Sequence, residues 1–355
     1  MDAATRVYEA IDNRVPDWVP VVPKIWVDLG AALTGTELID VVRDPMTALR
    51  VIVDAGRLCA VDGVRLFHFP PRNVVQRDGA VYEIDSEGEP LGAVDMQGGL
   101  HTHLDDPGHF DVTSDYQVAY HHYWTAASPF VDDVDAAKRI SVPGKAYYEE
   151  LGRGDRLAAM QGELGREVAI LGDCSSGTMA FLVTMRGMST AMMDLIEEPE
   201  LVHRVMEKGT AIAVEKAKFN IDHGVLVLRL NDSVGNMSVM SPDHWREFVF
   251  PHMRDFCLEV HRYASAARIY CHICGNILPI AGDLVETGLD CIGPLDPLGG
   301  FSPADVRDRV GDAVSLMRGV NTLTFVQGSP EDIQAEARRC IVEAGASGGL
   351  RPAQA

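Results

Sequence analysis

Over most of its length the sequence alternates short runs of apolar, often β-branched residues with amphipathic stretches that carry their own start signals. That alternation restricts the fold more than any other feature. The runs at 19–25, 61–67, 168–171, 225–230, 268–272, 291–295 and 314–319 are brief and bounded by Gly, Pro, Asp or Asn. Strands buried on both faces of a parallel sheet read this way. Between them, Ser241-Pro242-Asp243, Ser302-Pro303-Ala304-Asp305 and Ser329-Pro330-Glu331-Asp332 each set a capping hydroxyl ahead of an N1 proline and an acidic first turn. Glu198-Pro199-Glu200 opens another helix, with Leu201, Val205 and Ile212 on its apolar side, and Pro251 is expected to kink the helix that Ser241 begins. Repeated strand–helix alternation in 355 residues predicts an α/β fold with a parallel sheet, and closure into a (β/α)8 TIM barrel is its economical form. No repeat, low-complexity tract or long linker divides the chain, so residues 1–355 read as a single domain.

The rhythm breaks at 70–124. There Arg77-Asp78-Gly79-Ala80 and Ser86-Glu87-Gly88 punctuate alternating segments such as 80–84, which predicts an inserted β-meander or hairpin. An insertion between barrel strands is expected to lie over the mouth as a lid. It is rich in His101, His103, His109, His121 and His122 with Tyr116, Tyr120, Tyr123 and Trp124. These residues suit hydrogen bonding to a substrate or contact with a cofactor's edge, or a polar insertion with aromatics at a dimer contact. Arg65 and His68, at the end of the second run, are further mouth residues.

Acidic residues outnumber basic ones 52 to 31, a net charge of −21 that argues against nucleic acid and anionic lipid as partners. No apolar run reaches the roughly 18 residues of a membrane span. The start MDAATRVYEA lacks a basic segment followed by an apolar core, so no secretory leader is expected. Seven scattered cysteines do not form a disulfide framework. A reduced cytoplasmic protein is the expectation, with Cys59, Cys257 and Cys340 as helix-core thiols.

The sharpest local feature is Tyr270-Cys271-His272-Ile273-Cys274-Gly275-Asn276. On an extended strand end, His272 and Cys274 at i and i+2 project to one face, and Cys271 to the other. An imidazole and a thiolate on one face suit Zn²⁺, although zinc wants three or four ligands. The alternative is a buried cysteine beside a capping histidine. Asp232, at the end of the 225–230 run, is the candidate third ligand or proton acceptor, against a plain loop or helix-capping aspartate. Cys174 ends another run and reads as a buried structural thiol. The methionines at 179, 185, 188, 192 and 193 read as core filler.

The YCHICGNILP segment at 270–279, with LVETGLD at 284–290 and Leu295-Asp296-Pro297, resembles the uroporphyrinogen decarboxylase / corrinoid-dependent methyltransferase superfamily. The opening RVYEAIDNRVPDWVP at 6–20, Leu230-Asn231-Asp232 with Met240-Ser241-Pro242, and Leu316, Arg318-Gly319-Val320-Asn321 with Gly328-Ser329-Pro330-Glu331 are similar to it in the same order. The resemblance implies a (β/α)8 barrel with its site at the C-terminal ends of the strands. Uroporphyrinogen decarboxylases carry an arginine-rich segment after the first strand that binds substrate carboxylates. Here the matching stretch is Pro23-Lys24-Ile25-Trp26-Val27-Asp28-Leu29-Gly30, without arginine, which together with the acidic balance disfavours porphyrinogen decarboxylation. The His-x-Cys-Gly-Asn segment is similar instead to zinc-dependent methyltransferases that work with a corrinoid. In those proteins a second cysteine follows the glycines of the last strand. Here the corresponding Gly348-Gly349-Leu350-Arg351-Pro352 has none.

The resulting expectation is a demethylase-type methyltransferase. It would move a methyl group between a small methylated compound or thiol and a corrinoid (cobalamin-type) cofactor carried by a separate corrinoid protein. Zinc would be held by His272, Cys274 and Asp232, with Asp232 and His272 catalytic and Asn231, His68, His101, His103 and Asn321 contacting substrate. A homodimer is the default assembly. A metal-free decarboxylase and a catalytically silent barrel are the alternatives.

Overall fold

Six of the seven apolar runs form strands, and they lie side by side in one sheet. The computed structural model describes residues 1–67, 71–96, 100, 102–104, 110–120 and 129–345. The strands β1 (Gly63–Leu66), β6 (Ala169–Ser176), β7 (Val227–Asn231), β8 (Arg268–His272), β9 (Cys291–Leu295) and β10 (Ser315–Arg318) pair in that order, all parallel. The intervening β2 (Val74–Arg77), β3 (Ala80–Ile84), β4 (Pro90–Val94) and β5 (Thr102–Leu104) form a separate antiparallel meander.

The seventh run does not become a strand. Residues 19–25 are extended coil beside β1, where the Val21 carbonyl accepts from Asp62 N at 2.9 Å and Gly63 N at 3.3 Å. Pro20 and Pro23 remove the N–H groups that a ladder would need. The expected last strand near 348 lies outside the described residues. The described sheet is therefore a curled six-stranded parallel one rather than a complete eight-stranded cylinder. Its curl brings the two edge strands within one side-chain contact, Arg65 Nη2 of β1 lying 3.7 Å from Met317 Sδ of β10.

Strand periodicity divides the side chains between two environments. Val64, Leu66, Leu228, Leu230, Ile269, Cys271 and Ile292 face outward into the helix layer. Ala169, Leu171, Val227, Tyr270 and Cys291 face inward, where they pack with Val7 and Ile11 of the helix Ala3–Ile11. That helix closes the N-terminal end of the curl with apolar groups. Arg6, also on it, holds Asp17 and Asp62 at 2.6 Å each. Interior positions nearer the C-terminal ends carry polar groups instead.

The capping signals operate as expected. The hydroxyls of Ser241, Ser302 and Ser329 accept from the backbone N–H three residues on at 3.1–3.2 Å. Ahead of Pro251 the backbone widens into a π-turn at Trp245–Val249, which absorbs the missing amide hydrogen. In the meander, Asp78 and Gly79 both take positive φ (50° and 82°), the two-residue turn that the Asp-Gly pair favours. Glu83, buried in β3, receives Arg72 at 3.1 Å and the Thr102 hydroxyl, tying the 71–73 connection to the meander. One expectation fails: Cys59 follows the helix Pro45–Leu58 as its exposed C-cap rather than packing in the core. Met188 and Met193 are likewise exposed, while Met179 and Met185 are core. Among the described residues no single helix is long and apolar enough to cross a membrane.

The helix Pro199–Asp222 approaches Met179–Arg186 so closely at Gly209 that a Cβ there would sit 2.6 Å from the Phe181 ring and 2.7 Å from the Gly177 carbonyl. In a free helix Gly→Ala stabilises by about 1 kcal/mol. Here Gly209→Ala is expected to destabilise by about 1–3 kcal/mol through overpacking, read as a lowered urea midpoint at unchanged slope.

Candidate active site

His272 is the last residue of β8 and Cys274 follows at i+2, and both side chains turn to the inner rim. Cys274 Sγ lies 3.7 Å from His272 Nε2. Gly275 makes the arrangement possible: its φ is +68°, and a Cβ there would meet Asn236 Oδ1 at 2.5 Å. The chain then turns sharply, fixed by Gly275 N donating to Asp296 Oδ2 at 2.7 Å. The imidazole is 7% exposed and its Nδ1 has no partner among the described residues. Burial, reinforced by the nearby Arg229, Lys24 and Arg65, pushes its pKa down to about 2, so it is neutral at any working pH. Burial also raises the Cys274 thiol, with Asp296 adding to the shift while Lys24 and Arg229 oppose it.

The cations around this pair come from three strand-region positions. Arg229, two residues before Asn231 on β7, donates to Asp173 Oδ1 of β6 and to Asn231 Oδ1 at 2.5 Å each. Arg65 on β1 stands 5.3 Å over the Tyr270 ring. Lys24 lies 4.2 Å over the Trp26 ring, and burial with repulsion from Arg229 and Arg65 brings its pKa down to about 8. Trp26 stacks on Phe67 at 4.9 Å, forming an aromatic wall at the end of β1.

Of the residues expected at the site, His272, Cys274 and Asn231 meet at the inner rim: Asn231 is the register partner of His272 and donates to Ser176 Oγ at 3.0 Å. Asp232 is placed differently. It is fully buried, its Oδ1 accepts from Ala180 N at 2.8 Å at the start of the helix Met179–Arg186, and its own N–H donates to the His272 carbonyl at 3.0 Å. The carboxylate is thus engaged with a helix N-terminus, as its capping alternative had it. Among the described residues no group of three His, Cys, Asp or Glu gathers that could hold a metal ion. Asn321 caps the helix Thr322–Gln327 through its side chain, accepting from Leu323 N at 2.9 Å. His68 and His101 lie outside the described residues, as does the His103 side chain.

Lys24, Asp173 and Arg229 were not among the expected site residues. For two of them the signal is present all the same: Arg229 interrupts the apolar 225–230 run at the parity of Asn231, and Asp173 stands just past the 168–171 run at the parity of Leu171. A charge inside a strand buried on both faces must be paired or functional.

A tetrahedral zinc with one nitrogen and one sulfur ligand sets those atoms about 3.6 Å apart, close to the observed 3.7 Å. A neutral imidazole offers its lone pair without prior deprotonation. The pair therefore fits two corners of a zinc site.

Burial raises the Asp232 carboxyl to about 6, opposed by the Ala180 amide and the Thr178 hydroxyl. A carboxyl raised in this way costs the fold nothing below the ordinary pKa, and the cost grows as pH rises towards about 6. Asp232→Asn removes it. The stability of that variant relative to the parent is expected to rise by about 2–3 kcal/mol between pH 4 and pH 7, measured by urea unfolding across pH.

Comparison with known proteins identifies relatives of the whole fold. The chain is 23% identical over 220 residues to the methylcobamide:CoM methyltransferase MtaA of Methanosarcina barkeri, 60% of each chain. It is 26% identical over 150 residues to a methylated-thiol–coenzyme M methyltransferase of Methanosarcina mazei, 41% of this chain and 38% of that one. A uroporphyrinogen decarboxylase of Bordetella petrii matches at 28% over 224 residues, 61% of this chain and 59% of that one. The chain thus spans at most about 60% of the curated relatives it matches. A methyltransferase structure from Methanosarcina mazei superposes with a TM-score of 0.67 at 17% identity, covering 97% of this chain and 90% of that one, which shows a common fold. The family model for uroporphyrinogen decarboxylase (URO-D) matches residues 127–350, more than half of the sequence, and the chain belongs to that family.

Proposed function

We propose that this chain is a corrinoid-dependent methyltransferase of the URO-D family, moving a methyl group between a small methylated substrate or thiol and a corrinoid carried by a partner protein. The observation that carries the reading is the His272 Nε2–Cys274 Sγ pair, 3.7 Å apart at the inner rim of the sheet. The relatives named as methylcobamide:CoM and methylated-thiol methyltransferases support it. His272 and Cys274 would hold a zinc ion, which when bound supplies Lewis acidity towards the heteroatom that bears or receives the methyl group.

The chain's own residues do the positioning. The Asp232 N–H fixes the His272 carbonyl, and the Asp232 carboxylate ties that corner to the helix Met179–Arg186. Asp232 is therefore a positioning residue rather than a third ligand in this reading. Lys24 and Arg229 favour the thiolate form of Cys274 against its burial. Arg229 and Ser176 hold Asn231 beside His272, where its amide can contact substrate. Methyl transfer is an in-line displacement, so this fixed geometry contributes directly to rate. The meander rooted beyond β1 is read as the lid, and a reduced, cytoplasmic, homodimeric protein remains the working description.

A decarboxylase is the second reading, favoured by the buried cations Arg65 and Arg229 and by the curated decarboxylase relatives. Metal content and turnover separate the two. Purified protein is expected to retain about one zinc per chain by elemental mass spectrometry and to demethylate methylcobalamin with a thiol acceptor, followed by absorbance. His272→Ala and Cys274→Ala should each lose the metal and lower kcat/KM about a hundredfold or more. Metal-free protein whose activity survives both substitutions would overturn the methyltransferase reading, and an inert protein would leave the silent barrel.

A further inference from the structure

Ser175 stands where β6 leaves the sheet, out of step with its neighbours. Asp173 pairs with Arg229 of β7 but Ser176 with Asn231, so β6 carries one extra residue and Ser175 falls in the bulge. Its φ is +66°, a left-handed conformation that a non-glycine residue keeps only where its surroundings enforce it. The Ser175 N–H donates to Asp173 Oδ2 at 3.2 Å, and the hydroxyl is turned to Lys216, whose Nζ donates to Ser175 Oγ at 2.5 Å. Ser175 is half-buried, whereas Lys216, on the helix Pro199–Asp222, is 3% exposed. That helix is held against β6 beside the pair. A Cβ on Gly172 would lie 2.8 Å from Asn220 Cγ, and Asn220 Nδ2 donates to the Asp173 carbonyl at 3.2 Å and to the Lys216 carbonyl at 3.0 Å. Burial, joined by repulsion from Arg153 of the helix Arg153–Leu164, lowers the Lys216 pKa to about 8, while Asp173 and Cys174 oppose the fall.

We infer that Ser175 is a nucleophile and Lys216 its general base, a pair that takes a short acyl group from an ester and passes it to water. A hydroxyl at a strained strand-to-helix turn, within hydrogen-bond reach of a buried amine, has the geometry that such a step requires. Neutral Lys216 Nζ takes the hydroxyl proton as Ser175 Oγ attacks the ester carbonyl carbon. The adduct collapses, the bond to the alcohol oxygen breaks, and Lys216 gives the proton to the departing alcohol. Water then attacks the acyl-serine by the same route, releasing the acid and restoring the Ser175 hydroxyl, so ester and water become acid and alcohol. The hydroxyl is only partly open and is backed by the helix, which restricts the acyl group to a short one. The inference does not rest on the proposed methyl transfer.

The full-length protein tests it with two probes: p-nitrophenyl acetate, followed by release of p-nitrophenolate, and a fluorophosphonate whose adduct is located by peptide mass spectrometry. The fluorophosphonate is expected on Ser175, and acetate hydrolysis is expected to fall about a hundredfold or more in Ser175→Gly. Glycine suits the positive φ, so that variant should keep or raise the thermal midpoint. Among the described residues Lys216 faces Ser175, Asp173 and Cys174 of β6 and Arg153. Labelling of Ser175 should therefore climb through about pH 8 as Lys216 gives up its proton. Lys216→Arg keeps a cation and a donor but cannot act as a base. It should lose labelling at every pH, whereas a contact that only anchors the helix would survive it. An adduct absent from Ser175, hydrolysis unchanged in Ser175→Gly, or labelling that is flat with pH would each overturn the pair, as would full labelling in Lys216→Arg. Should Lys216→Arg fail to fold, Ser175→Gly and the pH profile decide the matter.

Discussion

The ion pair between Arg229 and Asp173, 2.5 Å apart across neighbouring strands, is the interaction on which the rest of the site depends. A parallel sheet covered by helices on one face and curled on the other makes a lone charge costly, so the pair keeps β6 and β7 compatible with a polar interior. Desolvation alone would raise the Asp173 carboxyl, but Arg229 and Lys216 prevail and hold it below the ordinary value. Arg229 in turn orients Asn231, and its charge adds to the burial that keeps His272 neutral. Each of these side chains lies at one strand parity, so a register slip of one residue would dismantle the whole set.

The interior is polarised along the strands. Towards their N-terminal ends it is filled by Val7, Ile11, Ala169, Leu171 and Val227. Towards their C-terminal ends the same inward parity carries Asp173, Arg229, Asn231 and His272. Hydrophobic burial at one end thus stabilises a scaffold that can afford unfavourable electrostatics at the other. Chemistry gathers at the C-terminal face of barrel-like sheets for the same reason. A cleft at the opposite end, lined by Asp12, Asn13, His261, Arg268 and Asp290, is occupied by the ion pair of Arg268 with Asp12 and the hydrogen bond between His261 and Asp290. It reads as stabilising structure.

Much of this was legible in the residues. The bounds of β8 and β9 follow directly from their apolar runs, and Ser241, Ser302 and Ser329 mark helix starts because capping is local chemistry. The His272–Cys274 pair was legible for the same reason, since i and i+2 on a strand end share a face whatever the surroundings. Asp232 was not, because its choice between metal and helix N-terminus depends on where residues 179 and 180 lie, some fifty positions away in sequence. Residues 19–25 misled through composition: their apolar content suits a strand, while Pro20 and Pro23 deny it a ladder. Arg65 was noticed without a role, because the meaning of a buried cation lies in the acceptors it lacks, and those are a property of the folded interior.

The charge distribution also bears on how a substrate reaches the site. With a net charge of −21 the protein as a whole repels anions, whereas the inner rim gathers Lys24, Arg65 and Arg229. The two fields act over different ranges. Repulsion by the outer surface is screened beyond roughly 8 Å at physiological ionic strength, while contacts between buried groups are screened far less. Added salt should therefore ease the approach of a small anion more than it weakens its capture, opposite to the usual dependence for an anion meeting an exposed basic patch. An outer surface that repels and an inner one that attracts also discriminates by size: a small acid needs only to pass the screened zone, whereas a bulky polyanion would remain partly in contact with the acidic exterior.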